Sequence, residues 1–189
     1  RLDVGLTGYE LAVLHRPGAL FATVGVNDDG LIQAFAGDRR GGQHFWNRVA
    51  RKYARDPIKD MAGYTRTLES TRQRLNETDT VRELGCGTGT TALSLAPSVA
   101  RLVGTHISGE MIAIAREKAG AQGCGNAEFE MAPADRAFGS DGAFDAVLAF
   151  NLLHLISDRT ETLQQAVCAL KPGGLFISKT PCLSEMNPL

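Results

Sequence analysis

The residues best placed to do chemistry lie in one run, Val81-Arg82-Glu83-Leu84-Gly85-Cys86-Gly87-Thr88-Gly89-Thr90-Thr91, whose spacing is E-x-G-x-G-x-G. Glycines at alternate positions remove the Cβ atoms that would hold a ligand away, and they admit the positive φ angles that such a turn needs. Residues 81–84 read as a short strand, and Thr91 to Leu95 as a first helical turn whose free N–H groups and positive dipole end face the same space. A dinucleotide fingerprint requires G-x-G-x-x-G, but Thr90 stands where its third glycine belongs. A phosphate-cradling loop requires G-K-[ST], and the run contains no lysine. Glu83, two residues before the first glycine, would repel a pyrophosphate and attract an ammonium group.

The amino-acid end of S-adenosylmethionine therefore suits this turn better than a dinucleotide does, although a purely structural glycine turn also satisfies G-x-G. Two further side chains are candidates. In nucleoside-binding α/β folds an acidic residue about 20 positions beyond the first glycine grips the ribose hydroxyls, and here that position holds His106. A neutral imidazole has one acceptor nitrogen where a carboxylate accepts from both hydroxyls. Asn151-Leu152-Leu153-His154 follows an apolar run and arrives at the carboxyl edge of the sheet, where ligands of open α/β folds bind. His154 is the candidate general base toward an acceptor hydroxyl, or else a polar lining residue with no proton to move.

These residues need strands and helices to hold them. Arg101 to Thr105 reads as a strand, Ser108 to Gln122 as an alanine-rich helix and Ala127 to Met131 as a third strand, which makes parallel units with right-handed crossovers. Phe144 to Phe150 is almost wholly apolar, as expected of a strand buried on both faces. Asp158 and Glu161 stand at capping-box-like spacing at the start of a helix running to about Leu170. Lys171-Pro172-Gly173-Gly174 is expected to stop that helix before a fifth strand, Leu175 to Ser178.

Upstream, Phe45, Trp46, Val49 and Tyr53 recur at helical spacing until Pro57, and Tyr64 to Leu75 reads as a second helix. Residues 1–43 read as an extension, either disordered or a hairpin of Ala19 to Val26 and Leu31 to Ala36 around Asn27-Asp28-Asp29-Gly30, followed by a glycine-rich linker over 37–42.

From about His44 to Leu189 the chain resembles the class I S-adenosylmethionine-dependent methyltransferases of the small-molecule, type 11-like kind, and Glu83-Leu84-Gly85-Cys86-Gly87-Thr88-Gly89 resembles their first motif. The resemblance implies a doubly wound α/β domain with a mostly parallel, Rossmann-like sheet over 44–189, comprising N-terminal helices over 44–76 and a cofactor-binding core over 77–189. It implies that Glu83 serves the methionine amino group, while the backbone of Gly85, Cys86, Gly87 and Gly89 lies along the methionyl and ribose portions. It further places Asp135 at the adenine amine and adds Ala134, Ile107, Met111, Asn151 and Leu152 to the cofactor set, with Tyr53 at the methionyl end. His106 departs from the family's Thr-Asp-Ile-Ser pattern at Thr105-His106-Ile107-Ser108. Two strands that complete the family's sheet after the fifth are expected to be missing, leaving the fifth strand with an unpaired apolar edge. The chain begins at Arg1 and stops at Leu189, and both ends read as cut.

With 189 residues, 43% of them hydrophobic and 22% charged, the chain suits one globular domain, and its net charge of −1 gives no pull toward nucleic acid or an anionic membrane. No 18-residue apolar stretch or signal-like start is present. The four cysteines, Cys86, Cys124, Cys168 and Cys182, form no C-x-x-C pair, so no metal is expected, and reduced thiols in a cytoplasmic enzyme are. S-adenosyl-L-methionine is the expected cofactor and a small molecule the expected methyl acceptor. An NAD-dependent oxidoreductase and a non-catalytic methyltransferase-like binding module are the rival readings.

Overall fold

Apolar runs too short for helices become strands buried on both faces, and the amphipathic stretches between them become the covering helices. A computed structural model of the chain describes residues 11–15, 39–136 and 141–180. Its elements are β1 (Leu11–His15), α1 (Arg39–Arg55), α2 (Met61–Arg72), β2 (Thr80–Leu84), α3 (Thr90–Leu95), β3 (Arg101–His106), α4 (Gly109–Ala121), β4 (Ala127–Met131), β5 (Phe144–Phe150), α5 (Arg159–Ala169) and β6 (Leu170–Lys179).

The sheet runs β1-β6-β5-β2-β3-β4, parallel from β4 to β6 and antiparallel where β1 meets β6. This is the doubly wound α/β arrangement. α2, α3 and α4 cover one face through Leu68, Leu95, Ile112 and Ala115 against Val81, Leu102 and Leu148. α5 covers the other through Ala166 and Ala169 against Val147 and Phe176. Chain order reverses beside β2, which pairs with β3 on one side and β5 on the other. The crevice at the carboxyl ends of these strands is therefore where a ligand has access to the sheet. Among the described residues no helix is long and apolar enough to cross a membrane.

Three expectations change. α1 begins at Arg39, inside the stretch read as a linker, and takes in Gly41 and Gly42. Each glycine costs a helix about 1 kcal/mol, but the apolar face of α1 compensates by docking Trp46, Val49 and Ala50 on Met111 and Ile114 of α4. Lys171-Pro172-Gly173-Gly174 lies within β6 rather than before it, as a register shift in which Leu170 pairs with Phe144 and Leu175 with Ala146. Gly173, at φ +82°, lets the extra residues loop out. The edge of β6 is not bare, because Leu11–His15 pairs along Leu175 to Lys179. An N-terminal strand thus supplies the antiparallel neighbour that the resemblance would draw from beyond the fifth strand. The hairpin expected over 19–36 and Cys182 lie outside the described residues.

Candidate active site

The turn after β2 carries the three positive φ angles that its spacing implies, at Gly85 (+68°), Gly87 (+54°) and Gly89 (+75°). Lys118 of α4 pins it from outside, donating to the hydroxyls of Thr88 at 3.0 Å and Thr90 at 3.1 Å. The glycines do different work. A Cβ on Gly87 would meet nothing nearer than Tyr53 Cε1 at 3.8 Å, so that position opens into the cavity. A Cβ on Gly89 would lie 2.8 Å from Ala115 Cβ and 2.9 Å from Phe129 Cζ. The Cα–H side of Gly89 that a side chain would replace therefore faces the core, and Gly89 is not among the residues that line the cavity. The alternate spacing is right, but the turn rotates its last glycine onto α4.

Around this turn lies a cavity of about 1140 Å³, and most of the expected residues meet there: Glu83, Gly85, Cys86 and Gly87 from the turn, His106, Ile107 and Met111 after β3, Ala134 and Asp135 after β4, Asn151 and Leu152 after β5, and Tyr53 from α1. Met111 is also packed fully out of solvent between α4 and α1. His154 does not join them. It sits in a 3-10 turn, Leu153–Leu155, and in such a turn residues three apart share a side. Leu152 and Leu155 line the cavity and His154 is not among its lining residues, so the structure does not bring this candidate base to the site. Its Nδ1 is buried with no hydrogen-bond partner among the described residues, and burial followed by Arg159 holds its pKa low.

Glu83 is 3% exposed, and one carboxyl oxygen, Oε2, has no hydrogen-bond partner among the described residues. The Ala92 N–H of α3 donates to the carboxylate, but burial outweighs this and pushes the pKa up to about 8. A buried, half-satisfied acid lining a ligand cavity is a site for an ammonium group, which would fill the vacant lone pairs and return the acid to its charged form.

His106 is 8% exposed and burial drops its pKa to about 4, so it is neutral at physiological pH. Its Nδ1 accepts the Ser108 N–H at 3.0 Å. The single acceptor nitrogen is thereby used, and the imidazole presents a donor, Nε2–H, to its surroundings. Toward a ligand His106 therefore offers a donor where the sequence reading has an acceptor. Trp46 holds the ring edge-on at 5.8 Å. Ser108 caps α4 through the Met111 N–H at 3.2 Å and donates to Asn47 Oδ1 at 2.6 Å, which locks α1 over this corner.

Cys86 is buried and its thiol pKa is raised well above the usual range, first by burial, so it fills space rather than reacting. Sequence reasoning missed Trp46 as the partner of His106, Lys118 as the pin and the lining residues Asp60, Tyr64 and Lys179. Lys179 left a signal: alternation from Leu175 and Ile177 carries it onto their face at the carboxyl edge.

A family model described as a methyltransferase domain matches residues 81–174. The ubiquinone/menaquinone biosynthesis C-methyltransferase UbiE of Geobacter sulfurreducens is 37% identical over 107 residues, which are 53% of this chain and 41% of that protein. The solved structure of YcgJ from Bacillus subtilis superposes with a TM-score of 0.58 at 25% identity, covering 60% of this chain and 50% of that one. Phosphoethanolamine N-methyltransferase 1 of Haemonchus contortus, solved with phosphoethanolamine and S-adenosylhomocysteine, shares the fold with a TM-score of 0.63 at 19% identity, over 77% of this chain and 32% of that one. This chain spans less than half the length of the curated relatives it matches. The glycine turn, the acid before it and the doubly wound sheet all fall in or around the matched stretch, and through it the chain belongs to the class I S-adenosylmethionine-dependent methyltransferases.

Proposed function

We propose that this chain binds S-adenosylmethionine at the glycine turn and transfers its methyl group to a small-molecule acceptor in the same cavity by in-line displacement. The observation that carries the reading is Glu83, a buried acid with one unpartnered oxygen beside a turn whose Gly87 leaves room for a ligand. Glu83 would hold the amino group, the turn would lie along the methionyl part, and His106 would donate to the ribose. Ala134 and Asp135 line the cavity beyond β4, where an adenine would be held.

The bound sulfonium supplies an already electrophilic methyl group, so the protein's own task is alignment, and orientation can contribute about 7–11 kcal/mol. Trp46, Tyr53 and Leu152 wall the space from which an acceptor would approach. With His154 not among the lining residues, no histidine past β5 serves there as a base, which suits an acceptor atom that is nucleophilic or ionised on arrival. About 1140 Å³ exceeds the roughly 300–1,000 Å³ of a usual single-ligand pocket, leaving space for two molecules. Relatives named for C-methylation and O-methylation in quinone biosynthesis support a small-molecule acceptor.

Thermal unfolding tests the reading. S-adenosylhomocysteine at a hundredfold over its dissociation constant is expected to stabilise the protein by about 2.7 kcal/mol, and NAD at the same concentration is expected to leave it unchanged. A shift with NAD alone would establish the oxidoreductase reading instead.

A further inference from the structure

Two aromatic residues of α1, Trp46 and Tyr53, stand two helical turns apart and both line the cavity. Their rings meet edge to face, with centroids 6.0 Å apart and planes at 88°. Trp46 also packs against the core residues that α1 shares with α4. Tyr53 does not need to be aromatic for that purpose, because it is 52% exposed and its removal would leave no hole in the core.

The two rings stand beside different parts of the site. Tyr53 belongs to the glycine turn, since its Cε1 is the nearest atom, at 3.8 Å, to a Cβ placed on Gly87. It also feels the acid before that turn: burial first, then Glu83 and Tyr64, raise the phenol pKa and keep the ring un-ionised. Trp46 belongs to the end of β3, where its ring meets His106 edge-on at 5.8 Å. The pair therefore runs from the Glu83 side of the cavity to the His106 side.

In the methyl-transfer reading above, on which this inference rests, Glu83 holds the amino group of S-adenosylmethionine and His106 meets its ribose. Sulfur lies between those two groups along the ligand's own covalent chain, which brings it to the junction of the rings. We propose that Tyr53 and Trp46 form an aromatic cover that recognises the positive charge on this sulfur and weights binding toward the charged methyl donor. The electron-rich faces of aromatic rings attract a cation, and the attraction grows as water is excluded. When the methyl group passes to the acceptor, the electron pair of the broken S–C bond stays on sulfur. The charge is then gone, and with it this attraction, so the spent thioether is held less tightly by the cover.

The test is calorimetric binding of three ligands: S-adenosylmethionine, sinefungin, in which an ammonium group takes the place of the sulfonium, and neutral S-adenosylhomocysteine. Tyr53→Leu is expected to weaken both cations about tenfold more than it weakens S-adenosylhomocysteine, and Tyr53→Phe, which keeps the ring, to restore the wild-type ratio. Retained binding of S-adenosylhomocysteine shows that each variant is folded. Equal weakening of all three ligands by Tyr53→Leu, up to complete loss, overturns the proposal, as does no weakening of the cations. A Tyr53→Phe variant that behaves like Tyr53→Leu overturns it too, because the hydroxyl and not the ring would then matter. Failure of the wild type to bind any of the three would instead strike the reading on which the proposal rests.

Discussion

On the floor of the cavity Glu83 and His106, 3% and 8% exposed, hang from neighbouring strands, each paired on both sides; on its rim Tyr53 and Ile58, 52% and 37% exposed, hang from α1 and the segment after it. The first pair shows what burial does when backbone cannot move. It raises the acid to about 8 and drops the imidazole to about 4, opposite directions with one cause. Both groups are then mainly neutral near pH 7, so neither brings a charge to the cavity until a ligand's ammonium would ionise the acid. The exposed rim follows surface side chains of α1 and the loop to α2, where sequence change costs the fold little.

The sharpest way to break this contrast is to place a side chain on either of two glycines of the same turn. Gly89→Val is expected to damage the fold: overpacking against Ala115 and Phe129 costs about 1–3 kcal/mol, and the left-handed backbone adds about 1–2 kcal/mol. A fall in melting temperature of roughly 10 °C should follow. Gly87→Val shares only the backbone penalty, because its Cβ points into the cavity, so it is expected to stay folded and lose S-adenosylhomocysteine binding. If a folded Gly87→Val protein binds with unchanged affinity by calorimetry, the glycine turn is not the ligand site.

Glu83→Gln comes next, with affinity for S-adenosylhomocysteine expected to drop about ten- to a hundredfold through loss of a charged hydrogen bond. Its pH dependence sharpens the point. Since the acid of the empty protein titrates near 8, wild-type binding at pH 7 should release a proton and strengthen as pH rises toward 8, while the Gln variant shows neither. Calorimetry in buffers of different ionisation enthalpy measures that proton. For stability the sign is reversed. The folded pKa lies above the ordinary 4.5, so Glu83's contribution is complete below about 4.5 and is lost as pH rises through about 8. The melting temperature of the empty wild type should therefore decline across this window relative to the variant.

His106→Asp is the smallest change. An aspartate offers two charged acceptors where the histidine offers one donor, so S-adenosylhomocysteine should bind about tenfold tighter. Because His106 stays neutral down to about pH 4, the gain should be constant between about pH 5.5 and 8. Equal affinities would remove residue 106 from the ribose, and a gain that grew in mild acid would contradict the neutral imidazole.

Much of this arrangement is legible in local sequence, because strand period, glycine spacing and caps act over a few residues. The run from Glu83 to Thr91, the crossovers on either side and the lining residues His106 and Asn151 follow from such short-range rules, whereas Asp135 is picked out only by the family resemblance. Even the departure at His106 is visible by counting from Gly85, since a parallel unit delivers its second strand end at a nearly constant distance along the chain.

Other features are decided by neighbours that sequence does not bring together. Gly87 and Gly89 look alike in a spacing argument, and only Phe129 and Ala115 on distant elements distinguish the ligand-facing one from the core-facing one. His106 has an acceptor nitrogen on paper, but the Ser108 N–H occupies it and Trp46 fixes the ring. The edge of β6 looks bare until Leu11–His15, far away along the chain, pairs with it. Composition and period therefore determined the sheet, its helices and the place of the glycine turn, because hydrophobic patterning and backbone geometry are local. Which side chains are buried, which way a hydrogen bond runs and which acid is left half satisfied were set by tertiary packing, since desolvation depends on everything within a few ångströms regardless of its position in the chain.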